Sequence, residues 1–160
     1  MHITVNIPAQ TMTVYDNDRI VRRYLVSTGL NGVGELINSE KTPRGLHVIR
    51  AKIGGGCPEN TVFVERRPTG EIFSPDLKLK FPHRDWILTR ILWLSGLEVG
   101  KNRLGPVDTM RRYVYIHGSP DEAVMGKPGS RGCIRMHNPD VIELFDLINI
   151  GDQIFIDERK

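Results

Sequence analysis

The chain has 160 residues, a length typical of one domain whose core is large enough to fold unaided. Its net charge of +3 is mild and its basic residues are scattered, so the charge pattern gives no support to nucleic-acid binding. No segment approaches the roughly 18 consecutive apolar residues that a bilayer-spanning helix needs, so we expect no membrane insertion.

The N-terminal half of the chain predicts short strands separated by turns. The 16 glycines and 10 prolines favour a turn-rich, strand-rich fold over a helix bundle. The segment 16–18 is a turn signal, because Asn and Asp tolerate the left-handed backbone region. Alternating apolar and polar residues predict four strands, at 3–7, 12–14, 19–27 and 46–53.

The middle of the chain is less regular. Segments 61–66 and 71–73 predict a hairpin that turns at 68–70, and 74–84 is expected to be irregular. The apolar segment 86–94 fits either a buried strand or a short helix, since periodicity alone does not decide. Its β-branched and aromatic residues favour a strand.

The C-terminal part predicts a strand over 111–116 that ends at His117, and one helical turn over 120–125. The clearest helix has Asn138 as its N-cap and Pro139 at its first position, and it ends at Gly151. A closing strand follows at 153–156.

These elements predict a mainly β fold over residues 1–160 as a single domain. Antiparallel sheets of this kind curl into a sandwich or partial barrel. We expect one firm helix in the C-terminal region, a few short helical turns, and an apolar helix face that covers one side of the sheet.

The residues with the clearest chemical potential are His117 and Cys133. A cysteine attacks carbonyl groups as a thiolate, so it needs a base or a positive field nearby. His117 is the candidate base, and Arg131 and Arg135 can add positive potential. Two neighbouring strand ends can bring the histidine and the cysteine within hydrogen-bonding reach.

The loop before Cys133 can stabilise a developing oxyanion. The backbone N–H groups of Arg131, Gly132 and Cys133 are candidate donors, because the glycine allows tight backbone geometry. Gly118 lets a carbonyl or hydroxyl group approach His117 and orient its ring.

Two alternatives stay open from residue types alone. Cys133 can be a buried apolar residue, which is the commoner role of a lone cysteine. A zinc site is the second alternative, although no Cys-x-x-Cys or His-x-x-x-His pair supports it. Its ligands would come from Cys133, His117 and His137, with Cys57 or Asp140. Cys57 otherwise reads as a loop residue that matters only if it lies near Cys133.

At these residues the sequence resembles the YkuD family of L,D-transpeptidases. The resemblance lies in His117-Gly118, in the run 130–136 (SRGCIRM), and in Asn138 followed by Asp140-Val141. It extends to 26–29 (VSTG), to 41–45 (KTPRG) and to the closing strand, so it covers nearly the whole chain. Arg131 stands where the family more commonly has histidine, and the connection between His117 and Ser130 is somewhat short.

The resemblance implies a covalent cysteine mechanism on peptidoglycan. Cys133 would attack the carbonyl of the third stem residue, diaminopimelate or lysine, at its bond to the terminal D-alanine. His117 would protonate the leaving D-alanine, and an amine of a second stem or water would take the acyl group. Carbapenem-type β-lactams would form adducts on Cys133, no cofactor or metal is implied, and part of 52–110 would line or cap the cleft.

The resemblance also suggests roles for flanking residues. Arg131 or Arg135 would hold a substrate carboxylate, or form a salt bridge that fixes the loop, and the salt bridge is favoured for Arg135. Tyr115 and Ser119 would support the site or only pack within it. Ser130 is expected to support the loop.

The expected location decides the outcome of the acyl-enzyme. No basic region followed by an apolar run precedes the first strand, and two cysteines make no disulfide framework, so we expect a cytoplasmic protein. There, an L,D-carboxypeptidase would trim recycled muropeptides. The alternatives are an exported transpeptidase whose leader was removed and a non-catalytic peptidoglycan-binding module.

Overall fold

The computed structural model describes residues 1–159, and it confirms the predicted mainly β class. The helices are α1 (Pro75–Lys80) and α2 (Asn138–Leu147), and a 3₁₀ turn spans Gly105–Val107. Neither helix within 1–159 has the length and apolar run that a bilayer crossing requires. The strands are β1 (His2–Asn6), β2 (Thr11–Asp16), β3 (Arg19–Leu25), β4 (Gly45–Ile53), β5 (Thr61–Val64), β6 (Arg67–Ile72), β7 (Ile87–Gly96), β8 (Tyr115–Gly118), β9 (Ile134–Met136) and β10 (Gln153–Asp157).

All ten strands belong to one open sheet, in the order β3-β2-β1-β10-β4-β7-β5-β6, with β8 and β9 branching from β7. The pairs β1–β10 and β8–β9 are parallel, and the other pairs are antiparallel. Strand β7 is the hub, because β4 and β5 share one of its edges and β8 pairs with the other. This confirms the strand predicted over 86–94.

Helix α2 covers one face of the sheet at its centre. It packs against β7 and β8, and its buried residues Val141 and Leu144 join one apolar cluster with residues of eight strands. An amphipathic helix gains most of its stability from such packing rather than from propensity. The helix therefore supports the strand pair β8–β9 from behind.

The start and the end of α2 differ from the prediction. His137 is the N-cap and Asn138 is already helical, and no side-chain cap forms. The helix ends at Leu147, four residues before Gly151. Asn138 does not cap because its amide is bound in a buried network with Thr89.

The hairpin in the middle of the chain turns earlier than predicted. Glu65 and Arg66 form the turn with φ values of 50° and 64°, and 68–70 lies within β6. Two consecutive residues at positive φ are typical of a two-residue hairpin turn. The segment expected to be irregular contains α1, which Ser74 caps by accepting a hydrogen bond from Leu77 N–H.

Two further predictions near the site are wrong. Strand β8 begins only at Tyr115, because 111–113 forms turns, and it continues to Gly118 rather than ending at His117. The segment 120–125 forms a turn that is closed by a hydrogen bond from Ala123 N–H to Pro120 O. It contains no helical turn. The segment 52–110 includes the hairpin, α1 and the hub strand.

Candidate active site

Strands β8 and β9 place His117 and Cys133 on one face of the sheet. Their parallel register pairs Ile116 with Ile134 and His117 with Arg135. Cys133 directly precedes β9 and therefore lies opposite Tyr115. Because side chains alternate between faces along a strand, the imidazole and the thiol project to the same side as diagonal neighbours.

The thiol is held by backbone groups of the neighbouring chain segment. Cys133 Sγ accepts a hydrogen bond from Tyr115 N–H at 3.3 Å, and it donates to the Tyr113 carbonyl at 3.5 Å. Within residues 1–159 it makes no hydrogen bond with His117. The resting thiol therefore has to turn away from Tyr113 before its proton can pass to the imidazole.

His117 is buried, and one ring nitrogen is fixed. Its side chain is 1% exposed, and Nδ1 lies 2.6 Å from the Gly118 carbonyl. A carbonyl only accepts, so Nδ1 carries the proton and Nε2 keeps its lone pair. Burial lowers the pKa of His117, against the opposing effect of Asp85, so the ring is neutral at neutral pH and able to act as a base.

The thiol is also neutral at rest. Burial raises the pKa of Cys133 to about 12, and the Asp85 carboxylate adds to the rise. The Tyr115 N–H bond, Arg135 and Arg112 lower the pKa by less. The positive field expected from Arg135 is therefore present, but desolvation outweighs it, and the thiolate has to form during the reaction.

The loop before Cys133 is tightly fixed. Gly132 adopts φ 117°, a conformation that favours glycine, and an added Cβ would lie 3.1 Å from the Lys41 carbonyl. Thr42 Oγ1 donates to the Gly132 carbonyl at 2.9 Å. Ser130 Oγ accepts from Gly132 N–H at 3.1 Å and donates to the Cys133 carbonyl.

The hydrogen bonds of this loop occupy one of the three candidate oxyanion donors and leave the other two unbonded. Gly132 N–H already bonds to Ser130, whereas the N–H groups of Arg131 and Cys133 make no hydrogen bond within the described chain. Two backbone donors beside the sulfur are therefore free for a substrate oxygen.

Two clefts meet at Cys133. One holds about 370 Å³ and is bordered by the β5–β6 hairpin, and the other holds about 270 Å³ and is bordered by the loop 37–40. Arg112, Tyr113 and Arg131 line both clefts. The charged residues are Arg66, Arg112, Arg131, Glu65 and Asp85 in the first cleft, and Arg111, Arg112, Arg131 and Glu40 in the second. Both linings are net positive.

The two predicted arginines occupy different settings. Arg135 donates to the Gly129 carbonyl at 3.0 Å and lies 3.6 Å from Asp85, so it fixes the loop. Arg131 makes a single hydrogen bond, to the His83 carbonyl at 3.2 Å. The Arg131 guanidinium therefore has fewer polar partners than that of Arg135, which leaves it more available to a ligand.

Ser119 and Tyr115 lie beside the site in different ways. Ser119 Oγ donates to the Met136 carbonyl at 2.9 Å and is buried, so it ties β8 to β9. The Tyr115 hydroxyl accepts from Arg66 at 3.0 Å.

Sequence reasoning missed Arg66, Arg112 and Asp85. The Arg66 guanidinium stacks on Tyr113 at 4.5 Å, and Arg112 donates to the Lys41 carbonyl at 2.6 Å. All three residues come from turns or irregular segments, where no periodic pattern marks a functional side chain.

The remaining cysteine lies closer to the site than expected. Cys57 and Cys133 are both free thiols, and both pack against the apolar cluster of Phe63, Ile91 and Tyr115. Within the described residues no group of three or more His, Cys, Asp or Glu side chains is placed to hold a metal ion.

The chain is similar to known proteins over nearly its whole length. A Bacillus licheniformis protein named "Putative L,D-transpeptidase YkuD" is 30% identical over 155 residues, which cover 96% of this chain and 64% of that protein. This chain therefore spans less than two thirds of that relative's length.

Solved structures share the fold. An L,D-transpeptidase from Mycobacterium smegmatis is 21% identical with a TM-score of 0.56, over 97% of this chain and 57% of that one. The L,D-transpeptidase LdtMt1 in complex with imipenem is 22% identical with a TM-score of 0.58, over the same shares of 97% and 57%. The family model of the YkuD L,D-transpeptidase catalytic domain matches residues 1–156. The chain belongs to this family.

Proposed function

We propose that the chain is an L,D-carboxypeptidase that removes the terminal D-alanine from peptidoglycan tetrapeptides through a thioester on Cys133. The observation that carries the proposal is that His117, whose Nε2 makes no hydrogen bond within residues 1–159, shares a sheet face with Cys133, whose thiol lies where two clefts meet. The third residue of the stem, diaminopimelate or lysine, supplies the carbonyl that is attacked.

The reaction has two steps. His117 Nε2 takes the thiol proton as Cys133 Sγ bonds to the carbonyl carbon, and the N–H groups of Arg131 and Cys133 receive the oxyanion. The bond to D-alanine breaks, and the imidazolium protonates the departing amine. Water then attacks the thioester, and its proton passes through His117 as the thiol re-forms.

The charge of the clefts supports water as the acyl acceptor. An acceptor stem would bring a protonated amine, which a net positive lining repels, whereas water carries no charge. The same lining attracts the carboxylate of the terminal D-alanine. Arg131 is the best candidate to bind it, since its guanidinium has a single hydrogen bond and lines both clefts.

Transpeptidation is the second candidate, because two clefts converge on one sulfur. One cleft would hold the acyl donor and the other an acceptor stem, whose deprotonated amine would form a 3-3 cross-link. We favour hydrolysis on soluble, recycled muropeptides in the cytoplasm, where acceptor amines are dilute.

The products on a defined disaccharide tetrapeptide test the proposal. Wild type is expected to release D-alanine and leave the tripeptide, as followed by mass spectrometry, and Cys133→Ala is expected to be inactive. Cys57→Ala is the matched control, because it removes the other free thiol and should leave turnover within a few-fold of wild type.

Two results would overturn this assignment. Cross-linked dimers or D-amino-acid exchange products without tripeptide would establish transpeptidation instead. The absence of turnover in both wild type and Cys133→Ala would favour a non-catalytic binding module. Localisation is tested separately, by fractionating cells that express the protein at its native level.

A further inference from the structure

A strained residue of the hub strand lies next to the backbone of Gly118. Thr89 has φ 75° although it is β-branched, and it is completely buried in β7. Such a conformation costs on the order of 1–3 kcal/mol and persists only where the surroundings enforce it. The pairing of β7 with β8 is irregular at this point: Leu88 pairs with Gly118 and Ile91 pairs with His117. Thr89 and its neighbour therefore form a bulge opposite the His117–Gly118 peptide.

Three polar residues hold this bulge in place. Thr89 Oγ1 donates to Asn138 Oδ1 at 2.7 Å and accepts from Asn60 N–H at 3.1 Å. Asn138 Nδ2 donates to Asn60 Oδ1 at 2.9 Å. The three residues thus form a closed ring of hydrogen bonds, which joins the loop after β4 to the hub strand and to α2.

This ring packs against the backbone of Gly118. A Cβ at that position would collide with Asn138 Oδ1 and would lie 2.7 Å from the Leu88 carbonyl and 3.1 Å from Thr89 Cβ. Gly118 therefore has no freedom to move towards the bulge. Its carbonyl is the acceptor of His117 Nδ1–H.

We propose that Asn60, Thr89 and Asn138 are positioning residues, which fix the Gly118 carbonyl and thereby hold His117 as the Nδ1–H tautomer with an unprotonated Nε2. None of the three touches the reacting atoms. The inference rests on the proposed role of His117 as the base. It explains why a strained, β-branched residue, a buried amide and a half-buried amide occur next to the His117–Gly118 peptide.

Thr89→Ala tests the proposal, because it removes the hydroxyl at the centre of the ring. The tautomer of His117 is read from long-range ¹⁵N–¹H correlation spectra, and acylation of Cys133 is measured with imipenem. We expect a loss of the single Nδ1–H tautomer and a fall of about tenfold or more in the acylation rate, since small misplacements of a catalytic group have effects of this size. Thr89→Ser keeps the hydroxyl and should restore both readouts.

Two further variants keep the test decisive. Asn60 has a φ of 69°, which glycine tolerates, and Asn60→Gly removes only the side-chain acceptor. This variant should therefore fold and show a smaller change in the His117 tautomer and in the acylation rate. Thr109→Ala is the matched control, since Thr109 is also fully buried and also bonds a buried side chain.

The tautomer readout separates this proposal from the proposed function, because it needs no substrate. An unchanged His117 tautomer in Thr89→Ala and Asn60→Gly, together with acylation rates no lower than those of Thr109→Ala, would overturn the positioning role. Inactivity of wild type on the muropeptide would instead contradict the function.

Discussion

The two buried histidines, His47 and His117, have similar surroundings but different proposed roles. Both are almost fully buried, and both direct Nδ1 at a backbone carbonyl, that of Gly45 at 3.0 Å and that of Gly118 at 2.6 Å. Burial lowers the pKa of each ring. Up to this point, nothing distinguishes a structural histidine from a catalytic one.

The second ring nitrogen makes the difference. His47 Nε2 bonds to Thr109 Oγ1 at 2.9 Å, so both of its nitrogens are satisfied and the residue ties β4 to the loop before Arg111. His117 Nε2 makes no hydrogen bond within residues 1–159, and it shares a sheet face with Cys133. The unbonded Nε2 is therefore the feature that supports His117, rather than His47, as the proposed base.

Removing each imidazole should separate the two roles most strongly. His117→Asn should lower kcat/KM on the tetrapeptide by about 10²- to 10⁴-fold, the usual contribution of a general base. His47→Gln should keep kcat/KM within a few-fold while it lowers the midpoint of urea unfolding. A comparable loss of activity in both variants, at equal folded fractions, would contradict the distinction.

The pH dependence of stability should reveal His47. Its pKa falls from the ordinary 6.5 to about 4, so between these values the unfolded chain binds a proton that the folded chain does not. The stability that depends on neutral His47 is fully present above pH 6.5 and is lost as the pH falls towards 4, by up to about 3 kcal/mol.

Urea unfolding of wild type and His47→Gln at several pH values between 7 and 4 measures this effect. The stability difference between the two proteins should shrink as the pH falls, because only wild type has to bury the neutral ring. A difference that stays constant with pH would show that the ring is not kept neutral by burial.

The thiol beside His117 allows a smaller test. Asp85 raises the pKa of Cys133, so Asp85→Asn should lower that pKa. The rate of alkylation by iodoacetamide at pH 8 should rise by about two- to tenfold, since the thiolate is the reactive form and one pKa unit changes its fraction about tenfold. Cys57→Ala serves as the background for both proteins, and slower alkylation would contradict the proposed field of Asp85.

The sequence motif singled out His117 and Cys133, and their catalytic roles stay a prediction. Alternation predicted most of the sheet. The loss of a partner at Nε2 depends on which loop packs against the ring, and no local pattern encodes that. Arg66, Arg112 and Asp85 were missed for the same reason, because each reaches the cleft beside Cys133 from a turn or irregular segment that is distant in the sequence.

The errors in secondary structure have local physical causes. The turn signal at 68–70 was strong, yet the hairpin turns at Glu65 and Arg66, because the pairing of β5 with β6 and β7 outweighs turn propensity. Asn138 is a residue type that favours the N-cap, but its amide bonds to Thr89 and Asn60 and the helix already includes it. The Ser74-Pro75 pair did contain a helix-start signal, and the sequence interpretation did not use it.

The most direct test of the central claim is the mass of the intact protein after brief exposure to imipenem, followed by peptide mapping. The account predicts one covalent adduct on the peptide that contains Cys133, absent from Cys133→Ala and formed at least about a hundredfold more slowly in His117→Asn. An adduct on Cys57, or equal rates in wild type and His117→Asn, would contradict the assignment of Cys133 as nucleophile and His117 as its base.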